Sequence, residues 1–232
     1  MSASKRTRFI FPRWVNYALP VLIVTVMGGG LYLPTIVTFG FSSSTLDVGY
    51  APIQPVPFSH ALHAGELGID CRYCHSTVEK TAFAAIPNTQ VCMNCHTNVR
   101  NVSEKLKPVQ ASWETGKPIQ WVKVHDLPDF AFFDHSAHVN SGVGCVSCHG
   151  RIDTMEVVYQ AERLSMSWCI DCHRNPEKAL RPKDQITNMK YKAEAREGEN
   201  ELQAQLRVGK ELKEKYKIHD EAYMTSCSTC HR

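Results

Sequence analysis

Between Arg13 and Asp47 the chain carries no charged residue, and from Val15 to about Thr38 its positions are predominantly apolar. A helix rises about 1.5 Å per residue, so this run is long enough to cross a bilayer core of about 30 Å. After Asp47 the pattern changes. Apolar positions become scattered, Pro and Gly recur, and only Glu201–Tyr216 keeps a helical alternation, with Leu202, Leu206 and Leu212 on or near one apolar side. At most a small strand is expected, near Met155–Gln160. The pattern predicts a mainly α chain of low secondary-structure content: a single transmembrane helix with a basic tail over residues 1–45, then an irregular domain over residues 46–232.

Charge sets the expected orientation. Lys5, Arg6, Arg8 and Arg13 precede the span, and no Lys or Arg follows it until Arg72. The amino terminus is therefore expected in the cytoplasm and the remainder on the export side of a bacterial inner membrane, in the periplasm. Trp14 and Tyr17 fall at headgroup level, in contact with membrane lipid. The apolar run exceeds the 7 to 15 residues usual for a cleaved signal, so a retained anchor is the expectation. Gly28, Gly29 and Gly30 at its centre would allow close approach of other transmembrane helices, which predicts integral-membrane partner subunits.

The chemistry lies in the cysteines. Cys-x-x-Cys-His occurs five times, at Cys71-Cys74-His75, Cys92-Cys95-His96, Cys145-Cys148-His149, Cys169-Cys172-His173 and Cys227-Cys230-His231, and these motifs use all ten cysteines. Two thiols at this spacing form thioethers to the vinyl groups of one haem, and the adjoining imidazole binds its iron. Zinc would take the same residue types but usually pairs separate Cys-x-x-Cys elements, and a disulfide framework gives the histidine no role. Five covalently bound haems c are expected. With so little chain around them, the macrocycles should form most of the apolar interior.

Six histidines remain outside the motifs. His60 and His63 stand in Phe58-x-His60-x-x-His63, His135 and His138 in Phe133-x-His135-x-x-His138, and His125 and His219 stand apart. Residues three apart on a helix share a face, yet an iron with its proximal site filled has one axial position left. The two imidazoles of a pair must serve different haems. His60, His63, His125, His135 and His138 are the expected distal ligands, and His219, in a charged segment, is the expected spare. Met155, Met166 and Met224 are alternative thioether ligands, better read as packing residues while histidines suffice.

The formal charge of +3 describes the bare chain. Ten propionates and five ferric cores would bring it to about −2, and to about −7 on full reduction, if every propionate is ionised. Nothing in the sequence points to nucleic acid.

The paired histidines ahead of a Cys-x-x-Cys-His resemble the class III, cytochrome c3 and c7 type arrangement. More extensively, Pro57-Phe58-Ser59-His60, Val124-His125-Asp126-Leu127-Pro128-Asp129-Phe130, Phe133-Asp134-His135-Ser136-Ala137-His138, Cys148-His149-Gly150-Arg151 and Leu164-Ser165-Met166-Ser167-Trp168-Cys169 are similar to the pentahaem cytochrome subunit of bacterial alternative complex III. That resemblance covers nearly the whole chain and is weakest from about 180 to 225. It implies a subunit with no catalysis of its own, relaying electrons from an iron–sulfur partner to a monohaem cytochrome or terminal oxidase in a quinol-oxidising respiratory or photosynthetic complex. It also implies that His60 ligates the haem at Cys71 and Cys74 and His135 the haem at Cys145 and Cys148, leaving three distal partners unassigned. A membrane-anchored quinol dehydrogenase of the NapC or TorC kind is the alternative, but His75 is followed by Ser76-Thr77 where that group usually has a methionine. A multihaem reductase would need an open iron, often beside Cys-x-x-Cys-Lys, which is absent from the sequence.

Overall fold

The computed structural model describes residues 12–40 and 47–232. Lys5, Arg6 and Arg8 of the basic tail lie outside the described residues. Two compact units result, one containing the N-terminal helix and the other spanning Asp47–Arg232.

Helix α1 covers Val15–Gly40 and contains Pro20 and Pro34. It is long and apolar enough to cross a membrane, with a mean hydropathy of 1.8 over its most apolar window. Two of its three threonine hydroxyls donate to carbonyls four residues back, Thr25 to Val21 at 2.8 Å and Thr35 to Leu31 at 2.7 Å. Neither hydroxyl therefore needs water, which suits a lipid environment. Trp14 and Tyr17 are exposed, and a Cβ added to Gly28, Gly29 or Gly30 would meet nothing within 4 Å.

The second unit is helical in short pieces: α2 (Cys71–Cys74), α3 (Thr89–His96), α4 (Lys107–Thr115), α5 (His135–Asn140), α6 (Val146–His149), α7 (Met166–Arg174), α8 (Glu201–Lys215), α9 (Glu221–Met224) and α10 (Cys227–Cys230). A single π-type turn, Ala61–Glu66, precedes α2. Each motif lies on or against one of these helices, and polar residues set where several begin. Asp70 accepts from the Arg72 amide ahead of α2, Asn88 from Val91 ahead of α3, and Ser165 from Trp168 ahead of α7. Such caps satisfy amides that a short helix would otherwise leave unbonded.

Two expectations are refined by the structure. Met155–Gln160 forms no strand; Gln160 instead exchanges backbone bonds with the turn at Gly49 and Tyr50, at 2.8 and 3.1 Å, and an isolated bridge between Val143 and Leu180 is the one β pairing among the described residues. A strand needs a neighbour along its length, and the surrounding chain is occupied in holding the motifs. The second concerns α8. Its buried side is Ala204, Gly209 and Leu212, whereas Leu202 is 59 % exposed. Small residues win because α8 lies directly on the turn Pro176–Lys178: a Cβ on Gly209 would fall 2.0 Å from the Glu177 carbonyl oxygen. Gln205 donates to the Glu177 and Leu180 carbonyls and Lys213 pairs with Glu177 at 2.7 Å, so the helix is docked within its own unit.

Side chains contribute a small core. Among the described residues the buried apolar set is Val56, Val109, Val139, Met155, Leu180, Ile186, Ala193, Ala204 and Leu212, of which Leu180 alone is a large side chain fully enclosed.

Candidate haem sites

The two Phe-x-His-x-x-His segments fold alike. Phe58 stacks on His63 with ring centres 4.3 Å apart and meets His60 edge-on at 4.9 Å; Phe133 stacks on His138 at 4.6 Å and meets His135 edge-on at 4.8 Å. The residue after each phenylalanine organises the turn. Ser59 accepts the Leu62 amide on its hydroxyl and the His63 Nδ1–H on its carbonyl, and Asp134 accepts the Ser136 and Ala137 amides on its carboxylate and the His138 Nδ1–H on its carbonyl. Each turn thus presents two imidazoles at fixed angles to one aromatic wedge.

The ring nitrogens share one arrangement. Nδ1 lies within hydrogen-bond distance of a backbone carbonyl in His63 (Ser59), His75 (Ala85), His96 (Val99), His135 (Ala82), His138 (Asp134), His173 (Met224) and His231 (Phe130), at 2.7 to 2.9 Å. A carbonyl can only accept, so Nδ1 carries the proton and Nε2 is left with its lone pair for a metal. Two further rings hold an unbonded, buried nitrogen, His60 at Nδ1 and His125 at Nε2. A buried polar atom without a partner is costly unless something else completes it. His219 differs: it lies against Tyr223 at 4.0 Å, and its ring nitrogens make no hydrogen bond to the described residues.

Distances between rings identify which imidazoles face each other. His63 and His96 have centres 6.2 Å apart, His135 and His149 6.4 Å, and His138 and His173 6.1 Å. Two metal–imidazole bonds of about 2 Å, with about 1.1 Å from each nitrogen to its ring centre, give about 6 Å. The separation matches one iron between each pair. His60 lies within electrostatic range of His75. His125 packs edge-on against His149 at 4.5 Å, and the structure does not bring it into ring contact with His231, whose nearest aromatic ring is Phe130 at 6.1 Å.

Burial favours the neutral form of four of these rings, His60, His125, His138 and His149. It lowers His60 to about 4, aided by the charges of His75 and His63, and His149 to about 3, aided by His125, His135, His75 and His60. Burial also lowers His125 and His138. The neutral form is the one that ligates iron. The ten thiols are unpaired. Burial, then the neighbouring Cys172 and Cys169, pushes Cys148 up to about 12.

No group of three or more His, Cys, Asp or Glu side chains converges among the described residues as a metal-ion cage would require. The donors form imidazole pairs beside thiol pairs, which fits haem c. The chemistry of the donors, the orphaned ring nitrogens and the ring separations agree, and the chain carries a multihaem c-type cytochrome domain, the class of protein that carries electrons.

Comparison with known proteins gives the same class. Residues 56–111 match the family model described as cytochrome c7 and related cytochrome c. A 97-residue stretch is 38 % identical to the menaquinone reductase, multiheme cytochrome c subunit, of Nitratidesulfovibrio vulgaris. That match covers 41 % of this chain and 45 % of the relative, so the chain spans less than half the length of the curated relative it matches.

The sequence singled out every histidine in these pairs. It missed the carbonyls of Ser59, Ala82, Ala85, Val99, Phe130, Asp134 and Met224 that orient the rings, because a backbone acceptor has no side-chain signature. The phenylalanine of each Phe-x-His-x-x-His was visible, but not its role as the wedge between two rings.

Proposed function

We propose that this chain binds five haems c, each iron held by two histidines, and relays electrons within a membrane complex that exchanges them with menaquinone. The observation that carries this reading is the pair of turns at His60/His63 and His135/His138, each directing two imidazoles at the histidines of two different motifs. The assignments are His60 with His75, His63 with His96, His135 with His149 and His138 with His173. His125 is the remaining distal ligand, assigned by elimination to His231. Each haem, when bound, supplies a one-electron ferric–ferrous couple, and the chain's part is to hold neighbouring irons at fixed orientation and to exclude water from them. Axial histidines on both sides leave no open iron, so the subunit itself catalyses nothing.

The apolar α1 anchors the chain in the bacterial inner membrane, with the amino terminus cytoplasmic and the haem domain periplasmic. Integral-membrane and iron–sulfur subunits are the proposed partners, and a monohaem cytochrome c or oxidase the acceptor, as in alternative complex III. The opposite flow, into menaquinone, is a second reading favoured by the relative's name. The test is to mix the haem-loaded chain, alone and in its detergent-extracted complex, with a menaquinol analogue and separately with a menaquinone analogue. Exchange by the complex but not by the isolated chain is the expected result, and the analogue that reacts gives the direction. Rapid, inhibitor-sensitive reduction of the isolated chain would place the quinol site in this subunit and favour the quinol-dehydrogenase alternative.

A further inference from the structure

The five motifs are not neighbours in the order in which the chain visits them. The first and second are joined by the His60/His63 turn, by a hydrogen bond of 3.1 Å from the Asn94 side-chain amide to the Tyr73 hydroxyl, and by the proximity of Cys74 to Cys92 and Cys95. The third and fourth are joined by the His135/His138 turn and by the approach of Cys148 to Cys172 and Cys169. What links these two pairs is the first motif, not the second. The chain just past the first motif holds the His135/His138 turn: Ala85 accepts the His75 Nδ1–H at 2.9 Å, Ala82 accepts the His135 amide at 3.1 Å and its Nδ1–H at 2.8 Å, and His135 faces His149 of the third motif, with Cys71 near Cys145. The fourth motif then meets the fifth: His173 Nδ1 donates to the Met224 carbonyl at 2.8 Å, three residues before Cys227, and Cys169 lies near Cys230. Among the described residues, no hydrogen bond or ring contact joins the second motif to the third, fourth or fifth.

Solvent exposure agrees independently. Of the ten cysteines, Cys95 and Cys227 are the two that are exposed. One belongs to the second motif and the other to the fifth.

Resting on the haem reading above, we propose that the electron path runs second, first, third, fourth, fifth, so that its two ends are the sites at Cys92–His96 and Cys227–His231. One electron from a reduced iron–sulfur or haem protein enters at one end and one leaves to an oxidised haem protein at the other; only iron changes valence, and no bond or proton is moved. Folding the chain back after the second motif places an end of the path at a segment only about twenty residues past the first motif. Both ends are thereby exposed while the centre is covered.

The test is the position of the irons in the haem-loaded full-length chain, located by anomalous scattering at the iron edge. Five irons with the one bound by His96 adjacent only to that of His75, and the longest iron–iron separation between the His96 and His231 sites, are expected. An order following the sequence, with the His75 iron at one end, would overturn the proposal and leave the five-haem reading intact. Fewer than five irons would sink the haem reading itself. As a second measurement in solution, a nitroxide placed at Val102→Cys, a position 90 % exposed and six residues past His96, should couple by pulsed dipolar spectroscopy to one terminal iron more strongly than to any other. Comparable coupling to two irons would place the second motif inside the path and count against it.

Discussion

His219 and His125 are both isolated histidines in the sequence, and their surroundings separate them. His219 leans on Tyr223 near the surface, whereas His125 buries an unbonded Nε2 beside His149. Replacing His219 with Ala should leave the visible and paramagnetic spectra of the haem-loaded protein unchanged. Replacing His63 with Ala should convert one low-spin ferric haem to high-spin, read by electron paramagnetic resonance, and His125→Ala should also disturb the low-spin set. A second residue-level prediction concerns Asp70, which caps α2 just before Cys71. The Arg72 side chain, bonded to it at 2.9 and 3.0 Å, holds its carboxyl at about 2, helped by the Arg72 amide and the Thr187 hydroxyl. Because the folded value lies below the unfolded value of about 3.9, the stabilisation is present in full above pH 4 and is lost as pH falls towards 2. Asp70→Asn should therefore lower the thermal midpoint at pH 6, with the difference from the parent closing between about pH 4 and pH 2.

At the level of elements, α8 shows where sequence patterning succeeds and where it fails. Asn200 and Gln203 form a reciprocal cap at its start, and the leucine spacing predicts a helix over Glu201–Tyr216, within a residue of the observed Glu201–Lys215. Its buried side does not follow, because Leu202 looks more apolar than Gly209 until the partner is known to be a backbone turn that only a residue without Cβ can approach. Gly209→Ala should destabilise the haem-loaded domain by about 1–3 kcal/mol, since Glu177 presents backbone and cannot rotate away. Calorimetry should register this as a fall of about 2–4 °C per kcal/mol for a domain of this size, and no loss would mean that α8 is not seated on Pro176–Lys178. The motif helices were legible for the opposite reason: their cysteines and histidines declare the chemistry, although the caps at Asp70, Asn88 and Ser165 that set their starts went unread. What stayed hidden was how motifs meet. The bond from His135 Nδ1 to the Ala82 carbonyl joins positions 53 residues apart with no pattern between them.

For the molecule as a whole, the histidine pairs and the sparse side-chain interior are two views of one fact. Nine buried apolar residues, two of them alanines, are few for the 186 residues of the Asp47–Arg232 unit. Burial of apolar area contributes about 25 cal/mol per Å², and ordering each residue costs about 1–2 kcal/mol of entropy, so such a core does not hold this much irregular chain by itself. A chain whose ten cysteines are replaced by alanine, and which therefore attaches no haem, should lack native far-ultraviolet dichroism and be cleaved throughout Asp47–Arg232 by dilute protease; a resistant, helical product would show that the side chains suffice. The consequence reaches back to biosynthesis. If the polypeptide has no fold to hide its thiols until the macrocycles are in place, the attachment machinery meets an extended substrate on which all five sites are accessible. Folding is then the last step of maturation, following haem attachment rather than preceding it.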